Sequence, residues 1–168
     1  STESMDEKGF SAEEQAEIST YRAEARFLRA LSYYHAMDLF GNVPFVDETD
    51  PIGVFTPDQI TRPDLFDWIE AELLSIEDDL LEPASVPYGR ASKAAAQTLL
   101  GKMYLNAEVY TNNTRWDDCI TYCNKVIDNG GFSLSPSYSE LFMADNHTSS
   151  EIIFPVCFDG QYLSLIHI

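Results

Sequence analysis

Positive charge is what this sequence has least of: ten Lys and Arg stand against 28 Asp and Glu in 168 residues, for a formal net charge of -18. That balance argues against nucleic acid as a partner, because neutralising phosphates needs clustered basic side chains. It disfavours an anionic membrane surface for the same reason. Cysteine is sparse and odd in number, so Cys119, Cys123 and Cys157 do not make a complete disulfide framework. Long apolar runs are missing as well. The longest uncharged apolar run, Ile152 to Phe158, falls far short of the roughly 20 residues that span a bilayer. No Met, basic n-region or cleavage site opens the chain at Ser1, so it reads as an internal fragment with any targeting segment outside it. His35, His147 and His167 stand far apart and share no motif. No nucleophile with its base, phosphate loop or metal-ligand run is legible, and no catalytic residue, metal or cofactor is expected.

What is present is an apolar content of 45%, enough for a core of ordinary density, arranged with helical periodicity. Ser11 and Glu14 have the form of a capping box, which predicts a helix over 11–40. Phe27, Ala30, Leu31, Tyr34 and Met37 recur at steps of three and four and predict its buried face. Arg22, Arg26 and Arg29 gather on a second face, where internal ion pairs or loop carbonyls are the expected partners. Gly41 is placed to end the helix and Pro44 to hold an extended turn after it. A second helix is predicted over 62–81, with Phe66, Ile69, Leu73, Ile76 and Leu80 buried and its many carboxylates in solvent. A third is predicted over 92–110, and a fourth over 115–128 burying Trp116, Ile120, Cys123 and Ile127. Residues 129–162 read as irregular, with one helical turn near Tyr138 to Met143 and an edge strand in Glu151 to Val156, where Pro155 lacks an amide donor. The tail at 163–168, LSLIHI, has no turn, cap or partner element and reads as a truncation or junction.

The last two helices make a hairpin, and Leu100-Gly101-x-x-Tyr104 is similar to the first-helix signature of a tetratricopeptide unit. Gly101 is expected to let the second helix approach and Tyr104 to fill the wedge between them. Other constellations have plainer readings. Asp47, Glu48 and Asp50 lack the oxygen spacing of a calcium loop; Asp78 and Asp79 are adjacent on a helix and so point apart; Cys119 and Cys123 read as small apolar residues on a helix face, not as half a metal site. The periodicity therefore reaches a mostly α-helical domain with a repeat-like hairpin.

A resemblance carries further. The run RAEARFLRALSYYHAMDLFGNVPFV, from Arg22 to Val46, resembles the long helix and following loop of the SusD/RagB family of Bacteroidetes outer-membrane nutrient-binding lipoproteins. Later blocks follow in the family's order: the acidic helix, Tyr88 to Ala96, LLGKMYLNAEVY from Leu99 to Tyr110, Trp116 to Asp128 with Gly130-Gly131-Phe132, and Glu151 to Phe154. The resemblance covers about Ala12 to Phe158. It implies a SusD-like, mostly α fold with tetratricopeptide-like hairpins, irregular loops and a minor edge strand. It also implies a non-enzymatic protein, held at the outer-membrane surface by an N-terminal lipid that lies outside this fragment. Such a protein captures oligosaccharide, or sometimes peptide or another nutrient, and delivers it to a SusC-like TonB-dependent transporter, with these helices as scaffold and transporter contact. Tyr88 with Arg90, and Tyr138, are the residues of this sequence whose chemistry suits a sugar; loop anchoring is the competing reading. A tetratricopeptide-type peptide-binding adaptor and an α-helical glycosidase are the alternatives.

Overall fold

The structure is a computed structural model in which residues 9–51, 53 and 55–157 are described. The tail at 163–168 lies outside these residues. Helix α1 spans Ala12–Phe40 and opens on the expected capping box: the Glu14 amide donates to the Ser11 hydroxyl, and the Glu14 carboxylate accepts from the Ser11 amide at 2.8 Å. Two orphan donors of the first turn are thereby satisfied. Gly41, at φ +77°, ends the helix in a conformation that L side chains rarely adopt, and its amide donates to the Met37 carbonyl. Ala23, Phe27, Ala30, Tyr34 and Met37 form the buried face.

The chain then makes a two-stranded antiparallel ladder, β1 (Val43–Pro44) with β2 (Gln59–Ile60). Helix α2 (Arg62–Ile76) is capped by Thr61, whose hydroxyl accepts the Asp64 amide. It runs antiparallel to α1, as Arg62 lies against Asn42, Glu72 against Arg26 and Asp79 against Thr20. It stops five residues before the expected Leu81. The acidic run Glu77-Asp78-Asp79 opposes the negative end of the helix dipole, no basic residue sits in the last turn, and Leu80 turns into the core instead.

The predicted third helix is two: α3 (Lys93–Leu105) and α4 (Ala107–Thr111). They are interrupted at Asn106, whose side-chain amide donates to the Lys102 carbonyl and competes with the helix ladder. Helix α5 (Trp116–Asn129) packs back along α3. Its buried residues are Cys119 and Tyr122, not the expected stripe: Trp116, Ile120 and Ile127 are 48%, 58% and 74% exposed, and Cys123 is exposed too. The helix is therefore turned by about one residue's rotation. Polar partners set that phase, because Arg115, Tyr122 and Lys125 all reach carboxylates of α2 or just beyond its end.

The expected edge strand at Glu151 to Val156 is not formed. Pro155 cannot donate, and Ile153 and Phe154 pack against the core instead, Phe154 edge-on to Phe27 at 5.2 Å. The irregular segment carries two 3-10 turns, Tyr138–Phe142 and Asn146–Thr148. The core thus lies between α1, α2 and the α3/α5 hairpin, with α2 in the middle. Leu65, Phe66, Ile69, Leu73 and Ile76 of α2 are all essentially inaccessible.

Candidate functional site

Three half-buried carboxylates of and beside α2 organise the polar interior, which departs from the expectation that its charged face is simply solvated. Glu72 accepts from Arg26 Nη2 at 2.6 Å and Arg29 Nη2 at 2.8 Å, fastening α2 to α1. Arg29 also pairs with Glu48 and lies over the Trp68 ring at 5.1 Å, which fixes the loop after β1. Burial raises the Glu72 pKa, but the two guanidinium hydrogen bonds outweigh it, and the carboxyl titrates below the ordinary Glu range. Glu70 accepts from Tyr104 Oη at 2.7 Å and Arg115 Nη2 at 2.8 Å. Burial, then that bond to Glu70, pushes the Tyr104 phenol far up, so it stays a neutral donor. Glu77 takes Gln97, Lys125 and Tyr122. Burial lifts its pKa and these donors bring it below the ordinary value. These carboxylates are committed to structural cations and hydroxyls.

Of the arginines, Arg26 and Arg29 thus meet α2, while Arg22 is half-buried on the same helix. Pro44 is exposed in β1, opposite Gln59. Gly101 is buried, yet a Cβ placed there meets Cys123 Sγ at 3.6 Å and Tyr122 Cβ at 4.0 Å, both ordinary contacts. Tyr104 is buried between Phe66 of α2, Tyr122 of α5 and the Arg115 guanidinium 4.8 Å from its ring. In the loop after β1, Asp47 and Asp50 accept backbone and Thr49 donors within the turn, and among the described residues no cluster of three or more side chains suits a metal ion.

The sugar candidates separate. Arg90 belongs to the scaffold: its Nε donates to Glu24 at 3.0 Å, its Nη2 forms an ion pair with the same carboxylate at 2.7 Å, and the guanidinium lies 4.8 Å from the Tyr21 ring centroid. Tyr88 is 55% exposed and stands edge-to-face with His147 at 6.1 Å. Tyr138 is 76% exposed and pairs with Phe142 at 5.1 Å. Neither Phe142 nor His147 stood out as a candidate in the sequence; the i, i+4 aromatic pair in a Ser- and Pro-rich stretch was the available signal.

No family model matches the chain. It is 43% identical over 149 residues to the starch-binding protein SusD of Bacteroides thetaiotaomicron, a match covering 86% of this chain and 26% of that one. The chain belongs to the SusD/RagB family. Among solved structures, a SusD-like protein of Bacteroides fragilis superposes with a TM-score of 0.74 at 24% identity, covering 91% of this chain and 29% of that one. Surface glycan-binding protein A of Bacteroides uniformis gives 0.70 at 25% identity, covering 88% of this chain and 32% of that one. This SusD-family chain therefore spans about a quarter of the length of the curated relatives it matches.

Proposed function

We propose that the chain is the helical scaffold part of a non-catalytic protein that binds oligosaccharide at the outer-membrane surface and delivers it to a SusC-like TonB-dependent transporter. The observation that carries this reading is the 43% identity with a starch-binding SusD over 149 residues, 86% of the chain. A peptide adaptor sharing only the repeat signature would match over the hairpin alone. The half-buried carboxylates support a binding role over hydrolysis. A glycosidase needs two free carboxyls across a cleft, whereas Glu70, Glu72 and Glu77 each hold cations or hydroxyls of the scaffold.

In this reading the protein is held to the membrane by a lipid on its N-terminal side, and the helices described here supply rigidity and transporter contact. Retention of the full-length protein in glycan-loaded affinity gels, together with co-purification with a transporter encoded beside it, is the expected result. Failure of both overturns the proposal. Hydrolysis abolished by one Asp or Glu substitution would favour a glycosidase instead.

A further inference from the structure

Three exposed aromatic side chains, Tyr88, Tyr138 and Phe142, lie on or against the irregular segment after α5. The irregular segment after α5 carries its two 3-10 turns side by side, joined by the Asn146 side-chain amide donating to the Leu141 carbonyl at 3.0 Å and the Asn146 amide donating to the Met143 carbonyl at 3.1 Å. Tyr138 and Phe142 lie on the first turn, and His147 lies on the second with Tyr88 against it. Tyr88, Tyr138 and Phe142 are each more than half exposed. Apolar surface gathered this way marks a contact site more often than chance. Both pairs meet edge to face, at 64° and 77°. In that geometry the ring that offers its edge keeps both of its own faces clear of its neighbour.

The surroundings select the ligand. From residue 126 to 157 the sequence contains no Lys or Arg, while Asp128, Glu140, Asp145 and Glu151 are all acidic. An anionic ligand meets like charge there. The cation that borders the recess beside Tyr88, Arg90, is already paired with Glu24. Hydroxyl-bearing side chains are plentiful: Ser137 and Ser139 flank Tyr138, and Thr148 follows His147. A neutral pyranose, with apolar C–H faces and a rim of hydroxyls, matches rings set among such groups. A recess of about 110 Å³ beside Tyr88, lined by Phe132, Ile152 and Pro155 among others, gives the rings an apolar edge.

We infer that Tyr88, His147, Phe142 and Tyr138 form a ledge that binds neutral oligosaccharide and discriminates against uronic or sulfated chains. This rests on the glycan-binding reading above and specifies the ligand class.

The test measures binding of maltoheptaose, a neutral β-glucan hexasaccharide and an oligogalacturonate to the full-length protein and to its Tyr88→Ala/Tyr138→Ala/Phe142→Ala variant. A neutral oligosaccharide is expected to bind the wild type and the oligogalacturonate not. The triple variant should lose at least about tenfold in affinity at an unchanged Tm, and Tyr138→Trp should bind as the wild type does. Should the triple variant lose its cooperative melting transition, the single variants Tyr138→Ala and Phe142→Ala decide by the same criterion. Unchanged affinity in the variants overturns the ledge while leaving the glycan-binding reading intact. So does a preference for the oligogalacturonate, or lost transporter association with unaltered sugar binding. Absence of binding to any glycan by the wild type overturns both.

Discussion

Glu72 shows how much one side chain can hold in place. It takes two guanidinium groups from α1, 2.6 and 2.8 Å away, and only 13% of its side-chain surface is accessible. Arg26 donates in addition to Ser75 at 2.7 Å. Replacing Arg26 by Ala removes charge-assisted bonds that contribute about 1.5–3 kcal/mol and leaves Glu72 with Arg29 alone. A lower Tm in calorimetry with unaltered glycan affinity is the expected outcome; the reverse would make this face part of the ligand site. The same carboxylate sets an acid dependence. Its folded pKa lies below the unfolded value of about 4.3, so its stabilising contribution is complete above that value and is lost as pH falls through the folded pKa. Glu77 behaves alike. Glu72→Gln should therefore melt below wild type at pH 7, with the gap closing as the solution is taken below about pH 4.3. A gap independent of pH would contradict the assignment.

At the scale of elements, the rotation of α5 has testable consequences. Two adjacent apolar stripes run along this helix, and only the one through Cys119 and Tyr122 is covered. Tyr122→Ala is expected to destabilise by about 3 kcal/mol, because it leaves a cavity beside Tyr104. Ile127→Lys, on the open stripe, should fall within about 0.5 kcal/mol of wild type in urea denaturation. A reversal of that order would restore the stripe through Trp116 and Ile127 as the core. Gly101 makes a second case. Since a Cβ there meets Cys123 Sγ at an ordinary 3.6 Å, Gly101→Ala should be tolerated and gain up to about 1 kcal/mol in helix propensity. Gly101→Leu should instead push α3 and α5 apart and lower the Tm.

For the molecule as a whole, α2 lies in the middle. It is sealed to α1 through Glu72 and to the α3/α5 hairpin through Glu70, with Glu77 just past its end adding a further link. Phe66 joins the two sides through Tyr104 and Tyr110, and Tyr110 donates to Asp38 at the end of α1. A hairpin of this repeat type does not bury both faces by itself. The described helices should therefore unfold together, with calorimetric and van't Hoff enthalpies in agreement. Glu70→Ala, which frees Arg115 and Tyr104, should split or broaden the transition.

The helices themselves were legible in the sequence. A capping box at Ser11, a glycine at 41 that alone suits a positive φ, and three-four spacing through Phe27 to Met37 and Phe66 to Ile76 depend on neighbours within a few residues. So was the block order that marks the SusD/RagB family. Tertiary structure decided whatever depended on partners distant in the chain. It chose the covered stripe on α5 over the more apolar one through Trp116, Ile120 and Ile127, because Arg115, Tyr122 and Lys125 reach Glu70 and Glu77. It also sorted the carboxylates after Thr61 into half-buried Glu70, Glu72 and Glu77 and exposed Asp67, Asp78 and Asp79, although all are acids on a helical period. It turned Arg90 inward onto Glu24 and set Tyr88 against His147, 59 residues later in the chain. Local periodicity specifies which residues share a helix face; the charge and ring that face them come from other elements, and only packing brings them together.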